Sequence, residues 1–242
     1  AIAGAAAQGL FRNPLAEPAL IGVAMGAVTG GVLWIVFAGR VLGGVIGVGY
    51  FALLPASAII AGLLTAVIVF RMASHGRATD VSKLLLAGIA INALASAITG
   101  VCVFASDDQA LRDMSFWTLG SFAGANFHVL CVVVGLSVLP AGLLLRSRNV
   151  LNALALGEHE AFYVGIDVER VKRRMLVAIA VLTSVAVAFC GVIAFVGLVA
   201  PHLVRLMLGP DHRVLLPSSA VLGAALLTVA DLIARTVVVP AE

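Results

Sequence analysis

Long apolar runs separated by short polar connections are the feature that most limits how this chain can fold. The chain is 62% hydrophobic and only 11% charged, with a mean hydropathy of +1.15. A water-soluble domain cannot bury that much apolar surface, whereas lipid can cover it. A membrane span needs about 20 apolar residues to cross roughly 30 Å of hydrocarbon, and these runs are too long and unalternating for a closed β-barrel. The sequence therefore predicts an all-α, polytopic helical membrane protein.

The apolar runs also predict the order of helices along the chain. Residues 1–11 are expected to be the last part of a helix, and residues 200–208 a shorter element. Full spans are expected at 19–38, 45–70, 84–105, within 116–145, at 175–199 and at 214–239. Polar connections are expected at 12–18, 39–44, 71–83 and 106–115. Trp117 is expected in the membrane interface, where aromatic rings are enriched.

One polar stretch, residues 146–174, is longer than the other connections. It carries six of the 15 Lys and Arg residues and four of the 12 acidic residues, so it is too polar to cross a bilayer. Leu151, Leu154 and Val164 place apolar groups between these charges, which is typical of an ordered segment rather than a slack linker. An ordered segment of this kind on a membrane protein indicates a docking surface for a soluble partner.

The basic residues indicate an orientation. If 146–174 is cytoplasmic and the connections alternate, 12 of the 15 Lys and Arg residues lie inside and only Arg40, Arg112 and Arg235 lie outside. This asymmetry is the positive-inside pattern of membrane proteins. It accounts for the net charge of +3 without a nucleic-acid partner, and we exclude nucleic-acid binding on that basis. The three cysteines are scattered through apolar runs and predict neither a disulfide nor a metal site.

Six sequence blocks occur in a recognisable order: AGAAAQGLFRNPLAEPALIGVAMGA (3–27), LLLAGIAINAL (84–94), FWTLGSFAGANF (116–127), LNALALGEHEAFYVGIDVER (151–170), GVIAFVGLVAPHLVRLMLGPDHRVLLPSSAVLG (191–223) and ADLIARTVVVPAE (230–242). Together they resemble the permease subunits of the bacterial type II ABC importers for iron-siderophore, haem and vitamin B12. The third and fourth blocks are most similar to those of haem-importing members. Ferric siderophore and cobalamin are the alternative substrates within the family.

The resemblance implies one transmembrane permease domain over residues 1–242, with 146–174 as its cytoplasmic coupling loop. The apolar runs account for about eight of the ten helices expected for the family. The chain is therefore expected to be a fragment that lacks the first and last helices. The resemblance places the domain in the bacterial inner (cytoplasmic) membrane as a multi-pass protein.

The resemblance also implies the partners and the energy source. A second copy of the chain would complete a central pathway, two ATPase subunits would bind on the cytoplasmic side, and a periplasmic binding protein would deliver the substrate. The chain has no G-x-x-x-x-G-K-[ST] phosphate loop. ATP and Mg²⁺ are therefore expected on the separate ATPase chains, no cofactor or metal is expected here, and the chain is expected to be a transporter subunit rather than an enzyme.

Residues 151–165 match the coupling helices of the family. The resemblance assigns ATPase contacts to seven residues: Leu151, Asn152, Leu156, Gly157, Glu158, Ala161 and Gly165. Gly157 and Gly165 can supply the turns that set two short helices at an angle. Glu158 is expected either to cap the second helix or to pair with the ATPase. An ordinary amphipathic cytoplasmic loop is the structural alternative.

Polar residues elsewhere are candidates for docking and for the pathway. The resemblance assigns Arg235 and Arg40 to docking of the binding protein, with snorkelling at the interface as the alternative. Arg112 could pair with substrate carboxylates or with an aspartate of its own connection. Asn92 and Ser96 lie one turn apart on a helix that lines the pathway in the family. They could give it a polar face or form an interhelical hydrogen bond.

An ion-coupled secondary transporter is the alternative from a different class. Asp231 would be its coupling group, because an acidic residue inside a span is usually functional. This alternative predicts uptake that needs no ATPase. The long ordered polar stretch argues against it, and the sequence contains no H-E-x-x-H or G-x-S-x-G motif that would indicate a membrane enzyme.

Overall fold

A computed structural model describes residues 1–41, 49–75 and 78–237, and these residues fold into helices joined by short connections. The helices are α1 Ile2–Phe11, a 3-10 helix Pro18–Ile21, α2 Val23–Val41, α3 Gly49–Ala73, α4 Val81–Phe104, α5 Asp108–Leu119, α6 Phe127–Arg146, α7 Arg148–Leu156, α8 Glu158–Tyr163, α9 Val168–Cys190, α10 Val196–Leu208 and α11 His212–Val237. Two short strands, β1 Ser74–His75 and β2 Ala78–Thr79, pair antiparallel between α3 and α4.

Five helices of the described residues are long and apolar enough to cross a membrane: Leu53–Ala73 of α3, Val81–Phe104, Phe127–Arg146, Val168–Cys190 and His212–Val237. Three shorter apolar helices accompany them: Ile2–Phe11, Val23–Phe37 and Val196–Leu208. Much of the surface of the long helices is apolar and exposed, as expected where lipid or other helices cover it. The predicted all-α, polytopic fold is confirmed.

The polar connection predicted at 106–115 is not a loop, because most of it belongs to the short polar helix α5 at 108–119. Asp107 begins this helix by accepting a hydrogen bond from the Ala110 N–H at 2.8 Å, a typical N-cap. Trp117, near the end of this helix, is partly buried. Its ring fills the space beside Gly31 of α2 and packs against a core cluster that contains Val28 and Val32.

The span predicted at 175–199 is divided in the structure. α9 begins at Val168 and ends at Cys190, and Gly191 follows with a φ of 72°. A Cβ atom at Gly191 would lie 2.6 Å from the Trp117 carbonyl oxygen, so only glycine fits where the two backbones meet. The chain continues into α10, which is therefore longer than the short element predicted at 200–208.

Small residues bring α1 into the centre of the bundle. Ala5, Ala6 and Ala7 are fully buried, and α1 contacts α7, α9, α10 and α11. In lipid the hydrophobic effect does not drive helices together. Close approach of small residues stabilises the association instead, through van der Waals packing.

The two ends of the bundle differ in character. We define the coupling end as the end that carries α7, α8, the β1–β2 hairpin and the first residues of α4, α9 and α11. Arg146, Arg170 and Arg213 lie at this end, next to α7 and α8. Arg112 and Arg235 lie at the opposite end, on α5 and at the end of α11. These basic residues therefore lie at the two opposite ends to which the count assigns them.

Candidate functional site

The polar stretch 146–174 contains two short helices, α7 and α8, set between the long helices α6 and α9. Gly157 separates α7 from α8 with a φ of 142°, and Gly165 follows α8 with a φ of 85°. Both values lie in the region that favours glycine, so the two glycines occupy the turns that the sequence predicts.

Two residues predicted as ATPase contacts point into the core instead. Leu151 and Ala161 each have 0% of their surface exposed, and both belong to the main hydrophobic cluster. Leu154 of α7 is buried with them. These side chains hold α7 and α8 against the bundle by burying apolar surface. The predicted direct contact of Leu151 and Ala161 with a partner is therefore corrected to a positioning role.

Asn152 is engaged within the chain and joins α7 to the start of α11. Its side-chain nitrogen donates to Asp211 Oδ1 at 2.6 Å, and its oxygen accepts from the His212 backbone N–H at 2.9 Å. His212 Nδ1 lies 2.8 Å from the same oxygen. Hydrogen bonds from the Arg213 N–H and from Asn152 hold the pKa of Asp211 below its ordinary value. Asn152 therefore connects two helices in addition to any contact with a partner.

Glu158, in the first turn of α8, pairs with a buried lysine of α9. Its Oε2 atom lies 2.7 Å from Lys172 Nζ, and Lys172 has 3% of its surface exposed. The Glu158 carboxylate accepts from Lys172 rather than from a backbone N–H of α8, so the predicted cap is not formed. The Glu158 side chain keeps 39% of its surface exposed and remains accessible from outside the chain.

Four large apolar side chains of this region are exposed, and we name them the coupling patch: Leu156, Phe162, Tyr163 and Val164, which are 80%, 68%, 80% and 71% exposed. The Phe162 and Tyr163 rings stand edge to face with centroids 6.4 Å apart. Exposed aromatic side chains are typical anchors of protein interfaces. Only Leu156 was among the predicted contacts, although an aromatic pair inside a polar stretch is a signal that the sequence carries.

The opposite end holds the predicted docking residues. Arg235 Nε lies 2.9 Å from Asp231 Oδ2, one turn apart on α11. Asp231, the coupling group of the secondary-transporter alternative, is therefore paired with a cation of its own helix. Arg112 is exposed, and no carboxylate of the described ranges pairs with it. The side chain of Arg40 lies outside the described residues.

The two predicted pathway residues of α4 have different environments. Asn92 is half-buried and donates to the Ala19 carbonyl oxygen at 3.1 Å, which ties α4 to the 3-10 helix. Ser96 is exposed. Asn92 thus forms an interhelical hydrogen bond, the second of the roles considered for it. Within 1–41, 49–75 and 78–237, no group of three His, Cys, Asp or Glu side chains could hold a metal ion.

Comparison with known proteins places this arrangement in a family. The profile of the FecCD transport family matches residues 1–242. The hemin transport system permease protein HmuU of Yersinia pestis is 44% identical over 251 residues, covering 100% of this chain and 71% of that protein. The cobalamin import system permease protein BtuC of Halobacterium salinarum is 40% identical over 235 residues, covering 97% of this chain and 61% of that protein.

A third protein and one solved structure are also similar to this chain. The vitamin B12 import system permease protein BtuC of Vibrio cholerae is 41% identical over 237 residues, covering 97% of this chain and 68% of that protein. A solved structure described as an inward-facing conformation of a metal-chelate type ABC transporter matches with a TM-score of 0.89 and 32% identity. It covers 98% of this chain and 73% of the solved one.

These relatives are permease subunits, whose ATP-hydrolysing subunits are separate chains, and the absence of a phosphate loop from this sequence agrees with that division. The chain therefore belongs to the FecCD transport family and is a membrane permease subunit of a type II ABC importer, not an enzyme.

Proposed function

We propose that this chain is the permease of an ATP-driven haem importer in the bacterial inner membrane. Two copies would form the pathway, two ATPase subunits would bind the coupling ends, and a periplasmic binding protein would dock on the opposite end. The observation that carries the ATPase part of the proposal is the exposed coupling patch, mounted on two short helices whose other faces are buried in the bundle.

Three observations support haem. The 116–127 and 151–170 blocks resemble those of haem-importing members, and the Yersinia pestis hemin permease is 44% identical to the chain. Arg112, exposed and without a carboxylate partner in the described part of the chain, offers a guanidinium that could pair with the propionates of haem. Cobalamin is the second candidate, because two cobalamin permeases are 40% and 41% identical. Ferric siderophore is the third.

The substrate assignment is tested with the full-length permease, its ATPase and its binding protein in lipid nanodiscs. ATP hydrolysis is followed while the binding protein is loaded with haemin, a ferric siderophore or cobalamin. We expect stimulation by haemin alone, since only the loaded binding protein of the correct substrate should favour the closed ATPase state. Stimulation by cobalamin or the siderophore instead would keep the importer and change its substrate. A permease that binds no ATPase would contradict the importer itself and favour an ion-coupled transporter.

The coupling patch makes a separate prediction. Replacing Tyr163 with serine should weaken binding of the ATPase about 10-fold or more, equivalent to about 1.4 kcal/mol, because an exposed aromatic anchor is lost. The folded permease should keep its thermal stability, since Tyr163 is 80% exposed. The dissociation constant is measured by titrating the ATPase onto nanodisc-embedded permease.

His159→Ser is the matched control for Tyr163→Ser, because His159 is an exposed polar residue of the same short helix. It removes little apolar area and should leave the dissociation constant within about twofold of the unmodified protein. Equal effects of the two substitutions on the dissociation constant would show that the Tyr163 ring contributes no more to ATPase binding than His159 does.

A further inference from the structure

The two coupling helices are connected to different parts of the bundle. α7 is joined to the start of α11 through Asn152, which bonds Asp211 and His212. α8 is joined to α9 and to strand β2 through Lys172. Strand β2 ends at Thr79, immediately before α4 begins. Each coupling helix therefore has its own polar connection to a long helix.

Lys172 is the centre of the α8 connection. Its ammonium group lies 2.7 Å from Glu158 Oε2, 3.4 Å from Glu169 Oε1 and 3.3 Å from the Thr79 carbonyl oxygen. Glu169 Oε2 also accepts a hydrogen bond from the Thr79 N–H at 3.0 Å. All three hydrogens of the ammonium group thus have an acceptor. Both backbone polar groups of Thr79 are held by α9 side chains.

This connection resists separation because the charge is buried. A buried ammonium group is stable only while it is paired, and losing one partner costs more than losing an exposed ion pair. If α8 moved alone, Glu158 would leave Lys172 with an unsatisfied hydrogen. Joint movement of α8, the start of α9 and β2 avoids that cost.

Strand β2 is in turn attached firmly to α4. Asp80 follows Thr79 and caps α4, since its Oδ1 atom accepts hydrogen bonds from the Ser82 N–H at 2.9 Å and the Lys83 N–H at 3.3 Å. A displacement of Thr79 therefore displaces the first turn of α4. The route from α8 to α4 consists of side-chain and backbone contacts without a gap.

We infer that Lys172 is a positioning residue that transmits movement of α8 to the start of α4, separately from the Asn152 connection between α7 and α11. The inference rests on the proposed function, in which the ATPases move α7 and α8. In this inference, α8 moves the start of α4, whereas α7 moves the start of α11.

The test uses Glu158→Gln in the full-length permease, assembled with its ATPase and binding protein in nanodiscs. This substitution removes the charge that ties α8 to Lys172 but leaves Lys172 paired with Glu169, so the fold is retained. Spin labels are placed at Lys83 of α4 or Val214 of α11, both exposed, after replacement of the native cysteines. Distances between the labels of the two copies are measured with and without ATP.

We expect the ATP-dependent distance change at Lys83 to fall at least twofold in Glu158→Gln, while the change at Val214 is retained. Glu158→Asp, which keeps the carboxylate, should restore much of the movement at Lys83. Glu160→Gln is the matched control, since Glu160 is exposed in the same turn of α8 and forms no ion pair with the described residues.

Three results would overturn the inference. Unchanged movement at Lys83 in Glu158→Gln would show that α8 drives α4 by another route. Loss of movement at both labels would assign Glu158 to ATPase contact rather than to internal transmission. Absence of ATP-dependent movement at both labels in the unmodified assembly would instead contradict the proposed function, and the inference with it.

Discussion

Replacing Gly4 with alanine is expected to destabilise the permease by about 2 kcal/mol, whereas Gly197→Ala at the same helix crossing should be neutral or slightly stabilising. α1 and α10 touch backbone to backbone at this crossing. A Cβ atom on Gly4 would overlap the Gly197 carbonyl group, lying 2.5 Å from its carbon and 2.7 Å from Gly197 Cα. A Cβ atom on Gly197 would lie 3.5 Å from Pro18 Cδ and 3.9 Å from Gly4 Cα, which are ordinary contacts.

Two opposing effects decide whether Gly4→Ala stabilises or destabilises the permease. Alanine stabilises a helix by about 1 kcal/mol relative to glycine. Overpacking costs about 1–3 kcal/mol or more, and here the overlapping atoms are backbone, which no rotamer change can move aside. The clash therefore outweighs the gain at Gly4, while at Gly197 only the gain remains.

The measurement is thermal unfolding of the purified full-length permease in detergent, with both single variants compared with the unmodified protein. A lower midpoint for Gly4→Ala together with an unchanged or higher midpoint for Gly197→Ala is the expected pattern. Equal midpoints for the two variants would show that α1 and α10 can separate at no cost.

The sequence predicted close helix packing from its many small residues, but it could not say which glycines are essential. α1 contains Gly4 and Gly9 among alanines, and its central position follows from contacts with helices distant in the chain. Composition and hydropathy therefore predicted the class of fold and most apolar helices. They missed α5, because its sequence is polar and reads as a connection between spans. They also missed the break after Cys190, because it depends on the Trp117 backbone lying against Gly191.

The local structure of residues 151–165 was predicted better than the directions of its side chains. The resemblance implied two short helices and the glycines implied their turns, and the structure has α7, α8 and a positive φ at both glycines. The sequence could not tell that Leu151 and Ala161 face the core while Leu156 and Tyr163 face outward, since the direction of a short surface helix is set by tertiary packing. The burial of Lys172 was equally hidden, because a lysine in a charged stretch is usually solvated.

Replacing Lys172 with methionine is expected to destabilise the full-length permease by about 2 kcal/mol. The methionine fills much of the space of the lysine stem but gives no donor to Glu158, Glu169 or the Thr79 carbonyl oxygen. Removing one partner of an ion pair in which both groups are fully buried destabilises a protein by more than about 2 kcal/mol. Here the Glu158 and Glu169 side chains are 39% and 31% exposed and can regain water. The midpoint of thermal unfolding in detergent measures the effect.

A triple variant separates charge from packing. Lys172→Met combined with Glu158→Gln and Glu169→Gln removes the two carboxylates that Lys172→Met leaves close together without a cation. If the loss is electrostatic, the triple variant should recover at least half of the lost stability, since neutral replacements of a buried charge cluster are often tolerated. A triple variant no more stable than Lys172→Met would show that the two carboxylates left without a cation cost little. The lost stability would then come from the contacts of the lysine itself, which are its stem packing and its bonds to the carboxylates and to the Thr79 carbonyl oxygen.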